Sequence, residues 1–247
     1  MNNIYIMSAV RSPIGTFGGT LKNFCPVDLG TVVAKEAIKR SSFDAQDIGH
    51  AVFGNVIHTE PRDMYISRVI DLQSGLKKES AAFTVNRLCG SGLQAIVSAS
   101  QLIALEDADI VLAGGVEVMS GGTHVVQGFR WGTKMGDAKI LDMMLGSLQD
   151  PFGHGHMGIT AENISDRYQI SRVMQDEFAY SSQKKAENAI KKGFFKDQIV
   201  PIEIKSRKGI DIFDTDEHIK PDTTLEILSN LKSAFKKDGS VTAGNAS

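Results

Sequence analysis

Apolar residues in the first half of the chain come in two alternating textures. Short apolar, partly β-branched runs at residues 4–9, 51–56, 81–85 and 109–113 have the length and composition of buried strands. Between them, at about 27–40, 64–74 and 93–106, apolar positions recur three and four residues apart, the spacing of one helix face. Strands separated by helices of this length need crossover connections. The pattern therefore predicts an α/β fold with a mostly parallel central sheet covered by helices. Ligands of such sheets usually meet the carboxyl ends of the strands. Cys89 follows the end of one predicted strand, and Glu117 the end of another.

Beyond Ser120 the texture changes. Gly121-Gly122 opens an irregular stretch to about Gly155, with Arg130, Lys134 and Lys139 set among glycines. An amphipathic helix is predicted over about 172–192, with Met174, Phe178, Ser181 and Lys185 near one stripe. A strand at 198–204 and a short helix at about 224–235 follow, and no internal repeat is visible. The longest uncharged stretch, 88–105, approaches transmembrane length but holds three serines, two glutamines and two glycines. It reads as a buried central helix and not as a membrane span.

Cys89 carries the clearest candidate chemistry. The turn Cys89-Gly90-Ser91-Gly92 joins a predicted strand to a predicted helix, and its glycines allow a sharp change of direction. A thiol there sits at a helix N-terminus, where unpaired N–H groups and the macrodipole favour an anion. From the turn alone, a nucleophile and a small buried hydrophobe are both open readings. Cys25 precedes Pro26 at an expected helix start and is not expected to act in chemistry.

Composition removes several function classes. Of 247 residues, 42% are hydrophobic and 23% charged, ordinary for a soluble chain able to bury one large core or two modest ones. A net charge of −2 supplies no global field toward nucleic acid or an anionic membrane. Two cysteines fit a reducing compartment, and residues 1–7 lack the basic start of a signal peptide, so the expected location is cytoplasmic. His154 and His156 lack a nearby third ligand, and no metal is expected. The words Gly15-Thr16-Phe17-Gly18-Gly19 and Gly114-Gly115 lack the lysine and spacing of a phosphate loop, so nucleotide hydrolysis is not expected.

Six words spread along the chain bear on the open reading of Cys89. They are Ala9-Val10-Arg11-Ser12-Pro13-Ile14-Gly15 with Phe17-Gly18-Gly19, Asn86-Arg87-Leu88-Cys89-Gly90-Ser91-Gly92, and Ala113-Gly114-Gly115-Val116-Glu117-Val118-Met119-Ser120. The others are His156-Met157-Gly158-Ile159-Thr160-Ala161-Glu162-Asn163, Ser181-Ser182-Gln183-Lys184-Lys185-Ala186 and Thr242-Ala243-Gly244-Asn245-Ala246-Ser247. In this order they resemble the thiolase family, specifically its biosynthetic acetyl-CoA acetyltransferases, over nearly the whole chain.

The resemblance implies a thiolase-like α/β domain over 1–119 and an inserted α+β loop domain with coenzyme A-binding segment over 120–247. It implies that Cys89 accepts the acetyl group of acetyl-CoA, and that a second acetyl-CoA then gives acetoacetyl-CoA, with thiolysis as the reverse. These thioesters are substrates, and no cofactor is implied. Leu148, His156, Met157, Lys220, Phe235, Ala243 and Ser247 match substrate-pocket positions of the family, and Glu117 a supporting position beside the site. Met157 would limit the acyl chain, or serve only as packing. Lys220 stands where the family often has arginine near the adenine, or is an ordinary solvated lysine.

Departures are equally specific. Thiolases continue past the Gly-Asn-Ala-Ser word with a final strand for this sheet. A histidine in Gly-His-Pro, an asparagine in Asn-Glu-Ala-Phe and a second reactive cysteine come later still, and none of these words occurs here. The resemblance therefore implies an incomplete first domain, an isolated chain without turnover, and exposed apolar surface where a second half would dock. A CoA-pocket subunit that needs a partner chain is the alternative expectation. Full-length relatives are commonly tetramers, so a homo-oligomer is implied for the complete protein, through a loop resembling residues 130–139.

Overall fold

The computed structural model describes residues 3–207 and 209–246. The chain forms two compact units, 1–144 with 197–217, and 145–196 with 218–247.

In the first unit, helix α1 (Pro26–Ser41) starts on a proline that needs no N–H partner and ends at Ser42 in the left-handed region. Strand β1 (His50–Gly54) lies at the centre of a three-stranded sheet. After α2 (Ile66–Gln73), β2 (Ala81–Val85) pairs with one edge of β1. Past α3 (Ser91–Ala104), β3 (Val111–Gly115) pairs with the other. Both pairings are parallel, as the crossover spacing predicts. The register sets Gly54 opposite both Val85 and Gly115, so three carboxyl ends are level.

The alternation of β1 assigns its two faces. Ala51 and Phe53 are buried with Val27, Ala34 and Ile38 of α1 and Ile66 and Ile70 of α2. Gly54 faces the other way, against Ser91 at the start of α3. Helix α3 approaches closely because Ser91, Ala95 and Ala99, four residues apart, are small. Its opposite side is open. Leu93 is 69% exposed and Ile96 44%. The expected buried central helix is therefore buried on one side only.

Hairpin β4 (His124–Val126) and β5 (Ile140–Asp142), then α4 (Met143–Ser147), occupy part of the stretch expected to be irregular. Residues 4–9 form no strand and pair with no described residue, and Ile6 is 75% exposed. Their apolar run has the composition of a strand, but a strand also needs a neighbour for its N–H and C=O groups. Pairing begins at Arg11, which bridges to Ile199.

Later in the sequence come β6 (Gln149–Asp150), β7 (Gly155–His156), α5 (Met157–Tyr168) and α6 (Arg172–Lys191) of the second unit. Hairpin β8 (Ile202–Ser206) and β9 (Gly209–Phe213) returns to the first unit, where Ile202 packs on Leu21, Leu29 and Val118. Helix α7 (Leu225–Ser229) is shorter than the predicted 224–235. Arg172 explains the stop: its guanidinium donates to the carbonyls of Leu228 and Leu231, 2.5 and 2.9 Å away. Among the described residues no helix is long and apolar enough to cross a membrane.

Candidate active site

Cys89 lies on a tight turn between β2 and α3 and is exposed. Asn86 Oδ1 accepts the Leu88 N–H at 3.0 Å, which starts the turn. Leu88 takes φ 48°, a left-handed conformation uncommon for a residue with a side chain. Ser91 then locks the geometry. Its hydroxyl donates to Leu88 O at 2.6 Å and accepts from Arg87 N at 2.8 Å. Helix α3 therefore begins within two residues of the sulfur, as the sequence predicts.

The seat beneath this turn is built from glycine. A Cβ on Gly54 would lie 2.6 Å from the Ser91 carbonyl carbon, and one on Gly115 would lie 3.1 Å from Gly92 Cα. Beside that seat, Glu117 turns its carboxylate inward. It accepts from Asn55 Nδ2 at 2.9 Å and from the backbone N–H groups of Val56 and Ile57 at 3.0 Å each. Although the residue as a whole is exposed, desolvation of the carboxylate raises its pKa above the usual value, opposed by those two N–H donors. Asn55, which the sequence reading did not single out, is buried. The available signal was an amide directly after an apolar strand, at the end where sites form.

In the second unit the His-Met-Gly word forms the entrance to α5. His156 is its N-cap, and Nδ1 accepts from Gly158 N at 3.0 Å. The imidazole stacks on Phe235 with centroids 4.9 Å apart and planes 19° apart. A Cβ on Gly158 would collide with that phenyl ring. Met157 is exposed, and its N–H reaches Leu148 O at 2.9 Å. Four predicted pocket residues, Leu148, His156, Met157 and Phe235, thus share one place.

The other predicted residues lie elsewhere on this unit or outside the description. Lys220 is exposed, and its backbone N–H donates to Gln183 Oε1 at 2.9 Å. Ala243 is exposed on the closing turn, and Ser247 lies outside the described residues. The turn itself is tied down: Glu162 accepts from Ser240 N and Val241 N, and Asn245 Nδ2 reaches Asp176 at 2.9 Å. A cavity of about 280 Å³ in this unit, lined by Glu162, Asp166, Arg172 and Lys236 among others, holds none of the predicted residues.

Two further groups of polar side chains lie in the first unit. Arg11 grips Asp216 with two bonds of 2.7 and 2.9 Å, which hold the aspartate below the usual carboxylate range. Neighbouring Glu217 accepts from Thr20 Oγ1 at 2.6 Å and Thr16 N at 2.8 Å, and its pKa falls to about 2. Cys25, Glu60 and Asp63 bring possible ligand atoms within 4.8 Å of one another. Arg62 already fills the role of cation there, 2.7 Å from Glu60 and 3.3 Å from the sulfur. Burial and the bond to Glu60 push the Cys25 thiol up.

Residues 4–247 match the family model described as thiolase, N-terminal domain. Beta-ketothiolase BktB of Cupriavidus necator is 54% identical over 245 residues, which are 99% of this chain and 62% of that protein. The acetyl-CoA acetyltransferase of Syntrophomonas wolfei is 47% identical over 247 residues, again 62% of its length. The crystal structure of the Bacillus anthracis acetyl-CoA acetyltransferase superposes with TM-score 0.93 at 45% identity, over 98% of this chain and 61% of that one. Human mitochondrial 3-ketoacyl-CoA thiolase in complex with CoA gives 0.94 at 40% identity, over 98% and 61%. The chain thus spans about three-fifths of the length of the relatives it matches.

Proposed function

Since the chain belongs to the thiolase family, we propose that it carries the acyl-accepting part of an acetyl-CoA C-acetyltransferase, with Cys89 as acceptor. One observation supports this most: an exposed thiol at a helix N-terminus, seated on glycines at the carboxyl ends of parallel strands. The Cys89 sulfur forms a bond to the thioester carbonyl carbon, and the bond from that carbon to the CoA sulfur breaks. The thiol proton is released and the departing CoA sulfur takes one up, so a thioester replaces a thioester at little cost. A second acetyl-CoA, deprotonated at its α-carbon, then attacks the acyl group to give acetoacetyl-CoA; the reverse is thiolysis.

Leu148, His156, Met157 and Phe235 would receive the pantetheine and acyl end of the substrate, with Met157 limiting acyl length. Lys220 would meet phosphate as a point charge, Ala243 would flank the pantetheine, and the hydroxyl of Ser247 would meet its amides. The exposed segment around Trp131 and Met135 would serve association into a homo-oligomer.

The reading is tested by incubating the chain with acetyl-CoA and measuring intact mass. Acetylation of the parent protein and none in Cys89→Ser is the expected result; equal labelling of both would defeat it. A second reading, a CoA-pocket subunit inactive without a partner chain, fits the pocket residues Leu148, His156, Met157 and Phe235 gathered in one place. Acetoacetyl-CoA thiolysis by the chain alone would reject it.

A further inference from the structure

Asn55 is bonded to the other two strand ends beneath the Cys89 turn. It directly follows β1; its backbone N–H donates to Val85 O of β2 at 3.3 Å. Its side-chain Nδ2 donates to Val116 O, just past β3, at 3.0 Å, and to Glu117 Oε1 at 2.9 Å. Both acceptors fix which way the amide faces, because an oxygen there would meet two oxygens. Oδ1 is buried and has no hydrogen-bond partner among the described residues, an arrangement that costs free energy. The glycines on which the turn rests, Gly54 and Gly115, are the residues immediately before this knot.

We propose that Asn55, clasped by Glu117, is a positioning residue that holds the Cys89 turn in register for acyl transfer. A shift of either strand end moves Gly54 or Gly115, which approach the turn so closely that an added Cβ would lie 2.6 Å from the Ser91 carbonyl carbon or 3.1 Å from Gly92 Cα, so the turn must move with them. Neither residue touches the reacting atoms in this account. The inference rests on the reading of Cys89 as acyl acceptor.

The test uses the chain as it stands. In Asn55→Asp the shape is kept, but two donors are lost and a second carboxylate faces Glu117. The swap variant Asn55→Asp with Glu117→Gln restores an amide-to-carboxylate contact with the roles exchanged. Three quantities are read: the Cys89 acetylation rate at saturating acetyl-CoA, the half-saturating concentration, and iodoacetamide alkylation of Cys89 against Cys25 in the same sample. Asn55→Asp should lower the saturating rate about tenfold and leave half-saturation within about twofold, the signature of a loss expressed beyond substrate binding. Cys25 alkylation should stay unchanged, and the swap should recover about threefold.

A saturating rate within twofold of the parent, or a loss matched by faster Cys25 alkylation, overturns the proposal. Should Asn55→Asp not fold, Glu117→Gln must still lower the rate about threefold; an unchanged rate overturns it. If the parent takes up no acetyl group, the reading of Cys89 fails, and the alkylation comparison alone decides whether Asn55 sets the turn.

Discussion

The two faces of the parallel sheet are made from similar residues and end differently. On one, α1 and α2 present Val27, Ile38, Ile66 and Ile70 to β1, and all four are buried. On the other, α3 touches the sheet through Ser91, Ala95 and Ala99 and turns Leu93, Ile96 and Val97 outward. An apolar stripe on one side of a helix is what a two-layer packing requires. Helix α3 is apolar on both sides, so its composition asks for a second layer. The first face buries its apolar side chains; the second leaves them exposed.

The largest expected contrast comes from the closed face. Ile70→Ala should cost about 2–5 kcal/mol, read as a lower urea midpoint at unchanged slope. Leu93→Lys should change stability by no more than about 0.5 kcal/mol, while reducing binding of an apolar dye and self-association on size-exclusion chromatography. An equal loss of stability in both variants would mean that the open face is covered in solution. The smallest effect leaves both faces alone. Glu217 is held at about 2 against an ordinary 4.5, chiefly by the Thr20 hydroxyl. A depressed carboxylate contributes stability above 4.5 that is lost as pH falls toward 2. Stability curves of the parent and Glu217→Gln should therefore differ near neutrality and converge at the acid end. A constant gap would refute this.

The same contrast tells what was legible in the sequence. Helices α1, α2 and α3 and strands β1, β2 and β3 follow from periodicity, because spacing alone decides which residues share a face. Residues 4–9 have strand composition and no ladder, since pairing depends on a neighbour that local pattern does not contain. Helix α5 was missed because its start signal is an imidazole accepting the Gly158 N–H, a capping group outside the usual Ser, Thr, Asp and Asn. At the site, the Cys89 turn was readable from its glycines. Asn55 was not, because its importance lies in bonds to Val85, Val116 and Glu117, thirty to sixty-two residues away.

The ring that opens α5 has a further consequence. With the Nδ1 lone pair engaged by Gly158, a neutral His156 must carry its hydrogen on Nε2. That nitrogen can only give a hydrogen bond, and the phenyl ring of Phe235 stacked against one face sets the plane in which it does so. A molecule meeting this edge must bring a carbonyl or another electron-rich oxygen; an amide hydrogen would be turned away.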